Sequence, residues 1–116
     1  MHELAIAEDI LRIVRTELAA RKIEKAVSSV LFRAGKLNAV VPETLSFHFD
    51  VLKTDEPLLK TASLEVQEVP LQVRCLECGI EATLEEPILI CLKCGSALSI
   101  ESKQGMWVEK ISLRED

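Results

Sequence analysis

Apolar residues near the amino end of the chain recur with helical spacing. Leucine, alanine, isoleucine and valine follow one another at three- and four-residue steps from Leu4 to Leu18, without glycine or proline. This spacing gathers the apolar side chains on one face of a helix. Acidic residues lie toward the start of the segment and arginines toward its end, as the helix dipole favours. The pattern predicts a helix from Glu3 to Arg21.

Two more elements are predicted in the first half of the chain. β-Branched and aromatic residues indicate a strand from Lys25 to Arg33, which Gly35 ends. Pro42 is typical of the first turn of a helix, and apolar residues spaced from Leu45 to Leu52 would form its buried stripe.

The second half of the chain has the pattern of strands. Residues 63–69 alternate between apolar and polar side chains, and Pro70 then shifts the alternation, so we expect the chain to leave one sheet here. Residues 80–84 and 88–90 are predicted to form a short hairpin. The alternating stretch 106–113 is long enough to return to the first sheet as its third strand.

Every cysteine in the chain belongs to one of two similar knuckles. The segments 75–79 and 91–95 both read Cys-Leu-x-Cys-Gly, and twelve residues separate Cys78 from Cys91. The two-residue spacer lets both sulfurs of a knuckle face one point, and the glycine can adopt positive φ and turn backbone N–H groups toward the sulfurs. Four converging thiolates predict a tetrahedral zinc site. Its ligands would be Cys75, Cys78, Cys91 and Cys94.

Length, composition and charge narrow the class of protein. The 116 residues are 48% hydrophobic, which argues against disorder. A chain of this length suits one compact lobe plus a second lobe held together by a metal ion. The longest apolar runs fall far short of a membrane span, so we expect a soluble protein. The formal net charge of −5 disfavours binding to nucleic acid. The amino end resembles no signal peptide, so a reducing, cytoplasmic location is expected and disulfides are the weaker interpretation of the cysteines.

Together these elements predict an α+β fold. Two helices are expected to pack on a three-stranded antiparallel sheet, with a zinc-ribbon lobe inserted before the last strand. The predicted α+β lobe, which would bind nickel, comprises residues 1–72 and 104–116. The predicted zinc-ribbon lobe comprises residues 73–103.

The first three residues form a second candidate metal site. The Met1 amine, the His2 amide nitrogen and the His2 Nδ1 atom can form fused chelate rings, which suit divalent nickel or copper. The Glu3 amide or carboxylate can add a donor. Taken alone, His2 is more simply an exposed side chain on a frayed terminus. The other histidine, His48, lies beside the stripe of the second helix, so we expect a half-buried position and not a ligand.

Several short motifs in combination resemble one family over nearly the whole chain. The motifs are Met1-His2-Glu3-Leu4 opening a helix, Gly35-Lys36-Leu37, Pro42-Glu43-Thr44-Leu45-Ser46-Phe47, Leu64-Glu65-Val66, Val69-Pro70 and the two knuckles. Together they resemble the HypA/HybF-type nickel metallochaperones of hydrogenase maturation.

This resemblance implies a function, two metals and two partners. It implies that His2 and nearby main-chain nitrogens, with Glu3, take Ni(II) as a transported ion, while the four cysteines hold structural Zn(II). The implied partners are a nickel-handling maturation GTPase and the [NiFe]-hydrogenase large-subunit precursor. The protein would be a carrier and not an enzyme, since no nucleophile with a partnering base and no phosphate-cradling glycine loop is evident. Both a monomer and a homodimer are compatible with the sequence.

Two other classes of protein use paired cysteine knuckles. A rubredoxin-like electron carrier would hold iron there, and its colour would distinguish it from a zinc protein. A zinc-ribbon adaptor would bind nucleic acid or a polymerase, and its binding to nucleic acid would depend on salt. The 3% aromatic content and the large first lobe argue against the electron carrier, and the acidic charge argues against nucleic acid.

Overall fold

The computed structural model describes residues 2–115, which form two α-helices and two three-stranded sheets. In chain order the elements are α1 (Glu3–Ala20), β1 (Val27–Gly35), α2 (Pro42–Leu52), β2 (Ser63–Val69), β3 (Leu71–Cys75), β4 (Glu81–Leu84), β5 (Leu98–Ile100) and β6 (Met106–Leu113). Both predicted helices and the strands β1, β2 and β6 are confirmed to within a few residues. No helix in residues 2–115 is long and apolar enough to cross a membrane.

The first sheet is mixed, so the prediction of an antiparallel sheet is wrong. Its strand order is β2-β1-β6. β1 runs parallel to β2, with Val30 beside Leu64, and antiparallel to β6, with Val30 beside Ile111. The reason is the connection, because α2 lies between β1 and β2 in the chain and returns it to the same end of the sheet. A helical crossover of this kind joins parallel strands, whereas a tight turn joins antiparallel ones.

The second sheet has the order β4-β3-β5, so the predicted hairpin between residues 80–84 and 88–90 is wrong. β4 pairs instead with β3, and Ile90 makes only an isolated bridge to Ala97. Leu71 and Val73 of β3 are buried, whereas Ile90 is 55% exposed. The strand with the more deeply buried side chains therefore takes the centre, with a neighbour on each side.

The hydrophobic core lies between the two helices and the first sheet. α1 contributes one apolar face, and α2 adds Leu45 and Phe49, which are fully buried. The central strand β1 faces them with Val30 and Phe32. Burial of each such large side chain contributes about 1.5–3 kcal/mol relative to exposure. The buried face of α1 consists of Ile6, Ala7, Ile10, Leu11, Val14 and Leu18.

Gln104 ties the second sheet to the end of the first. Its side-chain oxygen accepts a hydrogen bond from the Leu37 N–H at 3.1 Å, and its side-chain nitrogen donates to the Pro70 carbonyl at 3.1 Å. Its backbone lies so close to Gly35 that a Cβ there would stand 2.4 Å from the Gln104 Cα. Glycine is therefore required at position 35 by the close approach of two backbone segments.

The boundaries of the two lobes stay a prediction. The second sheet begins at Leu71 and the first sheet resumes at Met106, which places both crossings near the predicted boundaries of 73–103. The first lobe would then hold residues 1–72 and 104–116.

Candidate metal centres

The four cysteines converge at one end of the second sheet. Their sulfur atoms all lie within 4.8 Å of one another. Two contacts join one knuckle to the other, with 3.5 Å between the Cys75 and Cys94 sulfurs and 3.7 Å between those of Cys78 and Cys91. A zinc ion bound at about 2.3 Å by four tetrahedral thiolates requires sulfurs about 3.8 Å apart. The sulfur geometry therefore fits a four-coordinate zinc ion.

The two knuckles share one backbone arrangement. The Cys75 carbonyl accepts a hydrogen bond from the Gly79 N–H at 2.9 Å, and the Cys75 N–H donates to the Ile80 carbonyl at 2.8 Å. The second knuckle, residues 91–96, repeats both bonds at 2.8 Å and 2.7 Å. Because the same turn is built twice, each knuckle presents its two sulfurs in the same way.

The glycine that ends each knuckle has the positive φ that the sequence predicts. φ is +76° at Gly79 and +78° at Gly95, and a Cβ at either position would meet no atom within 4 Å. Conformation, and not space, therefore requires glycine here. The turn brings backbone N–H groups to the sulfurs, as in the donation from the Cys78 N–H to the Cys75 sulfur at 3.5 Å.

Hydrogen bonds favour the ionised form of two thiols in the second knuckle. The Ser96 hydroxyl and the Ser96 backbone N–H lower the pKa of Cys94 to about 6. The backbone N–H groups of Cys94 and Lys93 lower the pKa of Cys91. The thiolate is the form that binds metal, so these donors prepare the site for a cation.

Cys78 behaves differently because other sulfurs surround it. The largest single influence, the Ile80 N–H, lowers the pKa of Cys78. The contacts with the other three cysteine sulfurs, together with burial, outweigh it and raise the pKa to about 11. Thiols this close resist ionising together, since each thiolate disfavours the next. A divalent cation among them would remove that conflict, which supports a metal site in preference to four free thiols.

The amino end of α1 carries the second candidate site. His2 is the N-cap residue of α1, and its carbonyl accepts a hydrogen bond from the Ile6 N–H at 3.1 Å. Within residues 2–115 its exposed side chain makes no capping hydrogen bond to the helix. The imidazole is therefore available to a ligand. Met1, whose amine is the other predicted donor, lies outside the described residues.

Glu3 makes a structural contact that the helical pattern of α1 does not predict. Glu3 is only 7% exposed, and its carboxylate accepts a hydrogen bond from the Val41 N–H at 3.0 Å. Val41 is the N-cap residue of α2 and has no capping side chain of its own. A valine at a helix N-cap is the signal that would have revealed the contact, because an apolar cap leaves helix donors to be satisfied from elsewhere.

The contact between Glu3 and α2 predicts a pH-dependent stability. The Val41 N–H lowers the pKa of Glu3 below its ordinary value of 4.5. The pKa of Glu3 is therefore lower in the folded state than in the unfolded state. The stability that the ionised carboxylate contributes is present above pH 4.5 and is lost as the pH falls through the folded-state pKa. We expect Glu3→Gln to unfold at lower urea concentration than wild type near pH 7, and this difference to disappear in acid.

The fluorescence of Trp107, the single tryptophan, reports unfolding of the first sheet and measures this effect. Glu8→Gln, an exposed change on the same helix, is the matched control and should behave as wild type. Equal midpoints for Glu3→Gln and wild type at every pH would contradict the anchoring role.

The remaining histidine is where the sequence predicts it. His48 is half-buried on α2, and its ring packs edge-on against Phe47 with 5.5 Å between the centroids. The structure thus gathers Cys75, Cys78, Cys91 and Cys94 in one place and puts His2 and Glu3 at the start of α1. That the cysteines hold zinc and that His2 and Glu3 hold nickel both stay predictions.

Residues 1–113 match the protein family described as "Hydrogenase/urease nickel incorporation, metallochaperone, hypA". Two curated relatives carry the name hydrogenase maturation factor HypA. The protein of Solidesulfovibrio magneticus is 36% identical over 97% of this chain and 99% of its own length. The protein of Trichormus variabilis is 34% identical over 99% of this chain and 97% of its own length.

Two solved structures share the fold. The solution structure of the nickel metallochaperone HypA from Helicobacter pylori matches with a TM-score of 0.65, covering 100% of both chains at 16% identity. A second solution structure of a HypA protein matches with a TM-score of 0.69, covering 98% of this chain and 97% of the other at 16% identity. At this identity the likeness establishes the α+β architecture and nothing about ligands.

Proposed function

The chain belongs to the HypA family of metallochaperones for nickel incorporation into hydrogenase and urease, and we propose that it carries Ni(II) at its amino end to the [NiFe]-hydrogenase large-subunit precursor. A metallochaperone moves a metal ion and does not turn over a substrate, so the protein is not an enzyme. The observation that carries the proposal is the family match, which spans 1–113 and so includes both candidate metal centres.

The cysteine site would hold a structural zinc ion. Cys75, Cys78, Cys91 and Cys94 would be its four ligands, and they fill every position of a tetrahedral ion. A closed thiolate site leaves no position for a substrate and binds too tightly for easy exchange. Zinc bound here would supply folding energy to the second sheet.

The amino end would hold the transported nickel. The exposed His2 imidazole and main-chain nitrogens suit Ni(II), and the predicted Met1 amine would add a further nitrogen donor. One Glu3 carboxylate oxygen is already engaged with α2, so Glu3 would contribute through its amide or through its other oxygen. The positive end of the helix dipole disfavours a cation, which would help to make the ion exchangeable. Exchangeable binding is what a carrier requires.

The partners follow from the same function. A nickel-handling maturation GTPase would act together with this protein, and the large-subunit precursor would receive the ion. The expected location is the cytoplasm, where such a precursor would mature. The formal net charge of −5 gives no attraction to nucleic acid, so none is proposed as a partner.

Nickel transfer to the precursor tests this proposal. We expect nickel-loaded protein to metallate the apo precursor faster when the two are mixed than when a dialysis membrane separates them, because delivery requires contact. Nickel buffered by a small chelator at the same free concentration is the control, and it should give equal rates in the two arrangements. Equal rates for the nickel-loaded protein would show simple release into solution and would overturn delivery by contact.

A further inference from the structure

The side chains of His2 and Glu3 have opposite surroundings, although the two residues are neighbours in the chain. His2 is exposed, whereas Glu3 is the only polar or charged residue within residues 2–115 that is buried. The Glu3 carboxylate reaches across to α2, where it accepts the 3.0 Å hydrogen bond from the Val41 N–H. The carboxylate that follows the proposed nickel ligand is therefore directed into the protein and away from solvent.

Two helix ends hold the carboxylate in this position. Glu3 lies in the first turn of α1, and Val41 is the N-cap residue of α2. The amino end of a helix carries partial positive charge, so both ends favour a carboxylate there. A hydrogen bond to a charged group is stronger than one between neutral groups, and withdrawing the carboxylate would leave the Val41 N–H without its partner. Release of the carboxylate to a metal would therefore cost at least about tenfold in an equilibrium constant.

The donors that remain at the amino end are nitrogen atoms, namely the exposed His2 imidazole and the main-chain nitrogens beside it. Within residues 2–115 the four cysteines are the only group of three or more His, Cys, Asp or Glu side chains close enough to share an ion. Carboxylates therefore do not gather around His2. Nitrogen ligands in a square-planar arrangement are typical of Ni(II) and Cu(II). Zinc is usually tetrahedral, and it accepts carboxylate oxygen together with imidazole.

The chain has to sort two ions between two centres, because the cysteine cluster suits zinc and the amino end is proposed to carry nickel. We propose that Glu3 is a specificity-determining residue, because its hydrogen bond to Val41 withholds a carboxylate that would otherwise let zinc occupy the nickel site. This inference rests on the proposed function. Of the two donors that Glu3 offers, the main-chain amide is then the one that is left for nickel.

Val41→Pro removes the hydrogen-bond donor and leaves Glu3 in place. Proline has no N–H, and the φ of Val41, −93°, is close to the value of about −65° that proline fixes. The Val41 carbonyl still accepts its bond from the Leu45 N–H, so α2 keeps its first backbone bond. We expect the freed carboxylate to join the metal at His2, and the ratio of nickel affinity to zinc affinity at the amino end to fall by about tenfold.

Calorimetric titration of the full-length, untagged protein measures both affinities. The cysteine cluster is first filled with one equivalent of zinc, so that further Zn(II), or Ni(II), reports binding at the amino end. Adding Glu3→Gln to Val41→Pro should cancel the gain in zinc affinity, because the side chain then offers no carboxylate. A merely structural role for the hydrogen bond predicts neither the gain nor its cancellation.

Val41→Ala is the matched control, because it trims the same side chain and keeps the N–H that donates to Glu3. It should sort the two metals as wild type does. Glu3→Asp decides the matter even if Val41→Pro fails to fold. Its side chain is one methylene too short to reach Val41 but keeps a carboxylate beside His2, so its ratio of nickel to zinc affinity should also fall by about tenfold.

The outcomes separate this inference from the proposed function. If wild type binds nickel at its amino end but the affinity ratio is unchanged in either folded variant, Val41→Pro or Glu3→Asp, the inference is overturned and the proposed function stands. A gain in zinc affinity that survives the addition of Glu3→Gln would overturn the inference in the same way. A wild type that binds no nickel at its amino end would overturn the proposed function and the inference with it.

Discussion

Replacing His2 by alanine should remove nickel binding at the amino end and leave the fold and the zinc content unchanged. The imidazole would be the only side-chain nitrogen donor there, and loss of even a second-shell partner of a metal ligand costs about 10–100-fold in affinity. We therefore expect affinity to fall by at least about 100-fold. The fold should survive because the His2 side chain is exposed and makes no capping bond to α1 within the described residues.

Calorimetric titration with nickel, followed by spectroscopy of the bound ion, measures this effect. His48→Gln is the matched control, because His48 is the only other histidine and lies on α2. That variant should bind nickel as wild type does. A peptide added before Met1 should act like His2→Ala if the amine is also a ligand. Normal nickel binding by His2→Ala would show that the transported ion is held elsewhere.

Replacing Cys75 by serine should release zinc and unfold the second sheet, while the first sheet stays folded. Within residues 71–103 the buried side chains are Leu71, Val73, Cys75 and Cys91, which is too small a core to hold three short strands. Structural zinc supplies about 10–16 kcal/mol to small domains of this kind. The main hydrophobic cluster of the described residues draws its members from α1, α2, the first sheet and the loop between α2 and β2, so it does not depend on the cysteines.

Amide NMR spectra with and without zinc measure this outcome. Signals from β3, β4 and β5 should lose their dispersion, while Trp107 fluorescence keeps its folded value. A chelator strong enough to strip the wild type should have the same effect. Leu92→Ser is the matched control, because Leu92 lies in the other knuckle and is 99% exposed. A zinc-free second sheet that stays dispersed would show that packing, and not metal, holds it.

The two tests also separate the two metals. His2→Ala should lose nickel and keep zinc, and Cys75→Ser should lose zinc and keep the first sheet that carries α1. A variant that lost both metals would show that the two centres depend on one another.

Local patterns in the sequence account for most of the elements. α1 follows from apolar residues at three- and four-residue steps, and α2 follows from Pro42 and the spacing of Leu45 and Phe49. Helical periodicity is a local property of a segment, so the sequence pattern predicts the helix without knowledge of the tertiary structure. β5 was not predicted, since three residues are too few to show an alternating pattern.

The pairing of strands was predicted less well. The parallel pairing of β1 with β2 depends on how α2 crosses the sheet, and the central place of β3 depends on which side chains are buried. Neither property belongs to a single segment. The alternating pattern of a strand predicts which of its residues share a face, but it does not predict which strand lies beside it.

The sequence by itself identified the candidate metal ligands. The spacing of four cysteines and the two glycines after them predicted a closed cluster of sulfurs, because a knuckle is built from consecutive residues and needs no distant partner. His2 at the start of a helix was equally visible. Only the tertiary structure showed that the Glu3 carboxylate holds the N-cap of α2 and that β6 has a free edge beside a cleft. Both features join segments far apart in the chain, and such contacts arise only when packing brings those segments together.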